Sequence, residues 1–265
     1  TSKTKAIITV DYSGQPSDLD ELNNLASRKN LTVIEDASHS LGATYKGNQV
    51  GALAALTTFS FHPVKHITTG EGGMVTTNNP DLAANLRRFR NHGIATEFRD
   101  RKGEWPWFYE MLELGFNYRL TDLQSALGLS QLGKLSQWII RRREIAIQYT
   151  SAFASLPEIE TPTILSDCDP AWHLYVIQLN LDRLRVRRSE VFKALRAENI
   201  GVNVHYIPVP WHSYYQSLGY KKGEWPVTEN AYERIISLPI FPAMTDKDVD
   251  DVIMAVTKVI NHFRK

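Results

Sequence analysis

Two short aliphatic runs, Ala6-Ile7-Ile8-Thr9-Val10 and Leu31-Thr32-Val33-Ile34-Glu35, bracket a segment with helical apolar spacing. Each run is continuous and rich in β-branched residues, which suits a strand buried on both faces of a parallel sheet. Between them Gly14 and Pro16 break the chain, and Ser17 stands where a helix cap is expected. Leu19, Leu22, Leu25 and Ala26 then fall on one helical face. A strand, a helix and a strand of these lengths form a right-handed crossover in a parallel sheet. That feature commits the chain to an α/β fold. It also puts Asp36 just past the carboxyl end of the second strand, the edge where open α/β sheets bind ligands.

Further along, Leu56–Ser60 and residues 74–77 are strand candidates. The segment between them is irregular and holds Pro63, Lys65, His66, Gly70, Gly72 and Gly73. Asn79 and Pro80 start a helix whose Leu82, Leu86 and Phe89 form a stripe expected to be buried. Residues 91–117 are loop-like and aromatic, with Phe98, Trp105, Trp107, Phe108 and Tyr109. Thr121 and Gln124 make a capping box ahead of Leu123, Ala126 and Leu127. Helical character continues, with a break near Gly133, to about Leu156. The pattern then changes: 173–179 and 202–207 are strand-like, 189–199 is helical, and Thr245 caps a last helix. These signals divide the chain into a larger domain over 1–137 and a smaller α/β domain over 138–265.

Composition removes several function classes. Lys plus Arg number 30 against 29 for Asp plus Glu, so no excess charge points to nucleic acid or an anionic membrane. No apolar run approaches the roughly 20 residues of a membrane-spanning helix. No basic stretch leads into an apolar one as a secretory signal would. Cys168 is the single cysteine, which excludes an internal disulfide framework and suits a reducing cytoplasm.

Lys65 carries the most chemistry. Pro63 and the glycines forbid a regular helix around it, so a shaped loop between strands presents its amine. Burial, with His62 or His66 protonated nearby, lowers a lysine pKa and frees a nucleophile. A solvated surface lysine is the alternative, and the residues alone leave it open. Asp36 is placed to meet the cationic edge of a ligand, or to serve as a turn or cap aspartate. His39, three residues on, reads as a ring-packing group or an ordinary half-buried histidine. The Ser60 hydroxyl and the Asn117 amide can each hold a phosphate or make a local hydrogen bond. His205 and Tyr206 can face a substrate or simply belong to a strand. Other motifs are poor. His62 and His66 are four apart, but Pro63 spoils the helix that would aim both at one metal, and no metal site is expected. Neither a Walker A loop nor a GxGxxG turn is present. Arg141-Arg142-Arg143 reads as a solvated helix face.

Three segments together resemble one family. Glu35-Asp36-Ala37-Ser38-His39-Ser40-Leu41-Gly42-Ala43 is similar to its acidic segment. Ser60-Phe61-His62-Pro63-Val64-Lys65, followed by Gly70-Glu71-Gly72-Gly73, resembles its lysine loop. Gly115-Phe116-Asn117-Tyr118-Arg119, with Asp122, Gln124 and Ala126-Leu127-Gly128, resembles a third segment. The family is that of the DegT/StrS sugar aminotransferases, which share the fold-type I architecture of pyridoxal-phosphate (PLP) enzymes: a mainly parallel sheet in a large domain, plus a smaller α/β domain. The resemblance implies that Lys65 holds the cofactor covalently and shuttles a proton. It implies that Asp36 pairs with the pyridine nitrogen, His39 contacts the ring and Ser60 binds the phosphate. Asn117 is expected to reach the phosphate of a neighbouring subunit, which makes a homodimer the expected active unit. His62, His205 and Tyr206 are expected to face the substrate. Val10-Asp11-Tyr12-Ser13-Gly14, the Phe59–Thr69 stretch and Val204-His205-Tyr206-Ile207-Pro208 resemble the branch serving pseudaminic acid synthesis. That branch moves an amino group from L-glutamate to C4 of a UDP-4-keto-6-deoxy-N-acetylhexosamine.

The same resemblance sets an opposing expectation. Nothing here matches the family's N-terminal phosphate loop and ring-stacking aromatic, so part of the cofactor cradle and of the central sheet is expected to be missing. An inactive fragment serving at most as an interaction module, and an aminotransferase for another keto sugar nucleotide, are the alternatives.

Overall fold

The computed structural model describes residues 1–96 and 105–265, so Phe98 of the aromatic segment lies outside the described residues. Two compact units emerge. One comprises Thr1–Tyr12 and Pro16–Leu135, the other Ser13–Gln15 and Ser136–Lys265.

The first unit is built on a four-stranded sheet. Its elements are β1 (Ala6–Val10), α1 (Leu19–Lys29), β2 (Thr32–Asp36), the small hairpin β3 (Thr44–Tyr45) and β4 (Asn48–Gln49), β5 (Leu56–Ser60), β6 (Gly73–Thr76), α2 (Pro80–Phe89) and α3 (Asp122–Leu132). The sheet order is β1-β2-β5-β6. β1, β2 and β5 run parallel, with Val10 beside Asp36 and Asp36 beside Thr58. β6 returns antiparallel against β5. Three parallel strands therefore deliver their carboxyl ends to one edge.

Some expectations change here. β1 is not buried on both faces: Ile8 is 68% and Val10 54% exposed. Among the described residues it is an edge strand, with one neighbour instead of two. The cap of α1 is Asp18, whose side chain accepts the Glu21 N–H, and not Ser17. Ser17 is drawn elsewhere: its N–H and hydroxyl both donate to Asp11 Oδ1, at 2.9 and 3.1 Å. α2 starts at Asn79 and Pro80 as expected but buries none of its residues. Leu86 and Phe89 instead line a cavity of about 950 Å³ together with Met74, Val75 and Leu120. α3 has the Thr121–Gln124 capping box, yet its apolar residues face outward, with Leu123 86% exposed.

The second unit contains α4 (Leu135–Phe153), β7 (Ile159–Glu160), β8 (Cys168–Asp169), β9 (Tyr175–Leu179), α5 (Arg188–Ala197), α6 (Ser213–Ser217), α7 (Pro226–Arg234), β10 (Ile235–Leu238) and α8 (Asp246–Phe263). Its antiparallel sheet has the order β10-β9-β7. Tyr149 and Phe153 of α4, Tyr175 and Ile177 of β9, and Val249, Val256 and Ile260 of α8 meet in one apolar core. The 202–207 segment is not a strand. Asn203 makes a single bridge with Ser237, and its side chain takes the Val204 N–H at 2.8 Å, competing with the ladder.

Nor are the three arginines a solvated face. Consecutive residues on a helix step by about 100°, so three of them fan over about 200° and one must point inward. Arg142 does, and is buried; its Nη1 donates to the carbonyls of Trp172 (2.9 Å), His173 (3.4 Å) and Ile240 (2.9 Å). Burial pulls its pKa down to about 10, which leaves it charged at neutral pH. Arg141 donates to the Met244 carbonyl at 2.8 Å, and Arg143 pairs with Asp169 at 2.7 Å. Among the described residues, no helix is long and apolar enough to cross a membrane.

Candidate active site

The carboxyl edge of β1, β2 and β5 gathers the polar groups. Asp36 ends β2, is half-buried, and its Oδ1 accepts the Ser38 N–H at 3.0 Å. The sheet hydrogen bonding runs one residue further, with the Ala37 N–H donating to the Thr58 carbonyl at 2.9 Å. The chain then turns tightly: Ser40 N–H donates to Ala37 O, and Ala43 N–H to Ser40 O. On this turn sits His39, buried, its ring centroid 6.3 Å from that of Tyr12 at an angle of 46°.

Ser60 ends β5 two residues beyond Thr58, the partner of Asp36. Its Oγ accepts the His62 N–H at 3.3 Å. The Lys65 N–H donates to the His62 carbonyl at 3.0 Å, closing the turn that carries the amine. The loop behind Lys65 is tied down from several sides. Phe61 N–H donates to Gly72 O, Thr69 N–H to Phe61 O, and the Thr68 N–H to the Gln131 side chain of α3 at 2.8 Å. Gln124 donates to the Glu71 carbonyl at 3.1 Å. Close approach demands glycine at two points. A Cβ on Gly73 would stand 2.7 Å from the Phe59 carbonyl oxygen, and one on Gly128 2.9 Å from Thr69 Cγ2.

Lys65 is half-buried, and desolvation pushes its pKa below the ordinary lysine value against the opposing pull of the Asp36 charge. Lys46 makes the contrast: it is exposed, and Asp20, 2.7 Å away, raises its pKa. A lysine depressed by burial while facing a carboxylate is the arrangement that makes an amine nucleophilic and leaves an anion beside it for a cationic ring.

The structure thus gathers Asp36, His39, Ser60 and Lys65 at one sheet edge and its following turns. His62, on the same loop, is exposed, with Nε2 3.9 Å from Glu71 Oε1. Asn117 is exposed, and its backbone bridges Asn91. His205 and Tyr206 belong to the second unit, where His205 Nδ1 lies 2.8 Å from the Ser237 hydroxyl and Tyr206 is 55% exposed.

Beneath the edge lies a pair that the sequence reading passed over. Asp11 and Glu35 are fully buried, and burial together with the neighbouring Asp11 charge raises the Glu35 pKa. Asp11 Oδ2 also accepts the Ser40 hydroxyl at 2.6 Å. Strand alternation carried the signal, since Glu35 shares a face of β2 with the buried Val33.

The sequence profile of the DegT/DnrJ/EryC1/StrS aminotransferase family matches residues 1–257. An uncharacterized protein of Methanocaldococcus jannaschii, MJ1066, is 46% identical over all of this chain and 69% of its own length. The spore coat polysaccharide biosynthesis protein SpsC of Bacillus subtilis is 43% identical over 98% of this chain and 68% of its own. Among solved structures, Helicobacter pylori PseC, an aminotransferase of pseudaminic acid biosynthesis, superposes with a TM-score of 0.91 at 32% identity, over 99% of this chain and 68% of its own.

Proposed function

The chain belongs to the DegT/DnrJ/EryC1/StrS aminotransferase family, a PLP-dependent family of sugar aminotransferases, and on that premise we propose that Lys65 is its cofactor-bearing lysine. The observation that carries the proposal is the half-buried Lys65 amine, lowered in pKa by desolvation and facing Asp36.

The chemistry of the donor set fits the cofactor: an amine for the aldehyde, a carboxylate for the ring nitrogen, a hydroxyl for the phosphate and an imidazole for the ring. When bound, PLP supplies the electrophilic carbon that carries the amino group and an electron sink for the donor's Cα carbanion. Lys65 Nζ takes the proton from the donor's Cα and later returns a proton to the sugar carbon that receives nitrogen. The Asp36 carboxylate would hold a proton on the ring nitrogen and so strengthen the sink. Ser60 Oγ would donate to the phosphate, and His39 would pack on the ring. In an assembled homodimer Asn117 reaches the neighbouring subunit's phosphate. His62, His205 and Tyr206 contact the sugar nucleotide.

The substrate we propose is a UDP-4-keto-6-deoxy-N-acetylhexosamine, with L-glutamate as amino donor, in pseudaminic acid synthesis and in the cytoplasm. The likeness to PseC and the 204–208 segment support it. A second reading has its own support. SpsC is 43% identical to this chain against 32% for PseC, which favours a different keto sugar nucleotide of polysaccharide synthesis. Incubation with PLP, glutamate and a panel of UDP- and TDP-keto sugars, followed by mass spectrometry of the aminated products, separates the two. Amination of the UDP-N-acetyl sugar alone supports the first; amination confined to another keto sugar supports the second. No product and no bound cofactor sinks both.

A further inference from the structure

We infer that Asp11 is a positioning residue for the turn carrying His39: it clamps Ser40 to the end of β1, and Glu35 completes the clamp by donating a carboxyl proton to Asp11. The inference rests on the assignment of Asp36 and His39 to the cofactor.

The geometry leaves little choice. Asp11 follows β1 directly, and its N–H donates to the Asp36 carbonyl at 3.1 Å. Its Oδ1 takes two donors from Ser17, and its Oδ2 takes the Ser40 hydroxyl at 2.6 Å. All three are donors, so the Asp11 side chain acts as a carboxylate. Glu35 is different. Its Oε2 accepts the Thr57 hydroxyl at 2.8 Å, while Oε1 is buried without a hydrogen-bond partner of good geometry. Two carboxylates cannot face one another in a dry site, and a buried oxygen is not left unsatisfied without penalty. A proton on Glu35 resolves both conflicts, because the acid then donates to Asp11. Asp11, at the end of β1, is the charged group facing Glu35; β5 contributes the neutral Thr57, and the Gly51 N–H faces it from the segment before β5. Burial and the Asp11 charge raise the Glu35 pKa to about 7, in the direction this arrangement requires.

Ser40 and His39 are adjacent on a turn closed by the Ala37–Ser40 and Ser40–Ala43 hydrogen bonds. Holding Ser40 therefore holds His39 and the Asp36–Ser38 turn before it. Neither Asp11 nor Glu35 needs to touch cofactor or substrate for this.

The test uses amide hydrogen exchange over residues 37–43 in the cofactor-free chain, so it does not depend on catalysis. Asp11→Asn, which replaces one of the two acceptor oxygens with an NH2 group that cannot accept and removes the charge, and Ser40→Ala, which leaves the carboxyl pair intact, should each speed exchange in the turn by about tenfold, as expected for loss of one charge-assisted hydrogen bond. Glu35→Gln should keep the turn protected, because the amide N–H replaces the acid proton. In the wild type, protection and PLP affinity should both fall as pH rises through neutrality; in Glu35→Gln both should stay level. Infrared difference spectra should show a protonated carboxyl band that Glu35→Gln removes. Turn exchange unchanged in both Asp11→Asn and Ser40→Ala overturns the clamp. A carboxyl band unaffected by Glu35→Gln overturns the shared proton. If the wild type captures no PLP yet shows the expected exchange pattern, the clamp stands and the cofactor assignment falls.

Discussion

Asp36 and Lys65 face each other across the carboxyl edge of the sheet with opposed effects: the Asp36 charge favours the protonated amine, burial favours the neutral one, and burial prevails. Asp36→Asn removes the opposing charge, so the Lys65 pKa should fall further. The pH profile of amine labelling at Lys65, read by peptide mass spectrometry, should move to lower pH in the variant. PLP affinity should weaken in parallel, because the ring nitrogen loses its anion. A profile unchanged from wild type would contradict the relationship.

Lys65→Ala should abolish covalent capture of PLP, measured as the yellow absorbance that borohydride bleaches and fixes to the chain. Lys46→Ala is the matched control. Lys46 is exposed and paired with Asp20, so its removal should leave capture intact and change stability little.

Gly73→Ala should disturb the lysine loop without removing a polar group. Its new Cβ would stand 2.7 Å from the Phe59 carbonyl oxygen, and because that neighbour is backbone it can give little. A cost of about 1–3 kcal/mol is expected, as for overpacking. Chemical denaturation gives that number, and the capture assay should show weaker PLP retention at temperatures where the variant is still folded.

Stability should depend on pH through Glu35. Its pKa rises from an ordinary 4.5 to about 7 on folding. The folded state therefore binds the proton more tightly than the unfolded one. The resulting stabilisation is complete below about 4.5 and lost as pH rises through about 7. Glu35→Gln should flatten this part of the melting-temperature profile. A wild-type profile that rises over the same window, and is unchanged in the variant, would count against the shift.

In the second unit, Arg264 makes two hydrogen bonds to the buried Glu158, at 2.7 and 2.9 Å. That interaction holds the Glu158 pKa below the usual carboxylate range. Arg264→Ala leaves the Glu158 carboxylate without its partner and should lower stability at neutral pH. The loss should shrink in acid as Glu158 becomes protonated, and urea melts at two pH values would show it.

The sequence made the carboxyl edge of the sheet legible because strand ends and loop breakers have local signatures. Ala6–Val10, Thr32–Asp36 and Leu56–Ser60 could be located from β-branched runs, and Pro63 with the glycines marked the lysine loop. What it hid was tertiary. Ser17 looks like a cap, but Asp11, six residues earlier, takes both its donors. Arg142 looks solvated until three carbonyls from distant segments close around it. Leu123, Leu86 and Phe89 have helical apolar spacing, yet spacing says nothing about whether anything packs on the stripe it creates. The 202–207 run lacked only a partner with matching ladder geometry.

The shared direction of β1, β2 and β5 has a consequence for heredity. Asp11, Asp36, His39, Ser60 and Lys65 all issue from successive returns of the chain to one rim, so a single contiguous stretch of gene encodes them. Recombination can move that stretch whole, and residues 205 and 206 lie outside it. On the roles proposed above, a lineage built this way can change the molecule it acts upon and leave its chemical apparatus untouched.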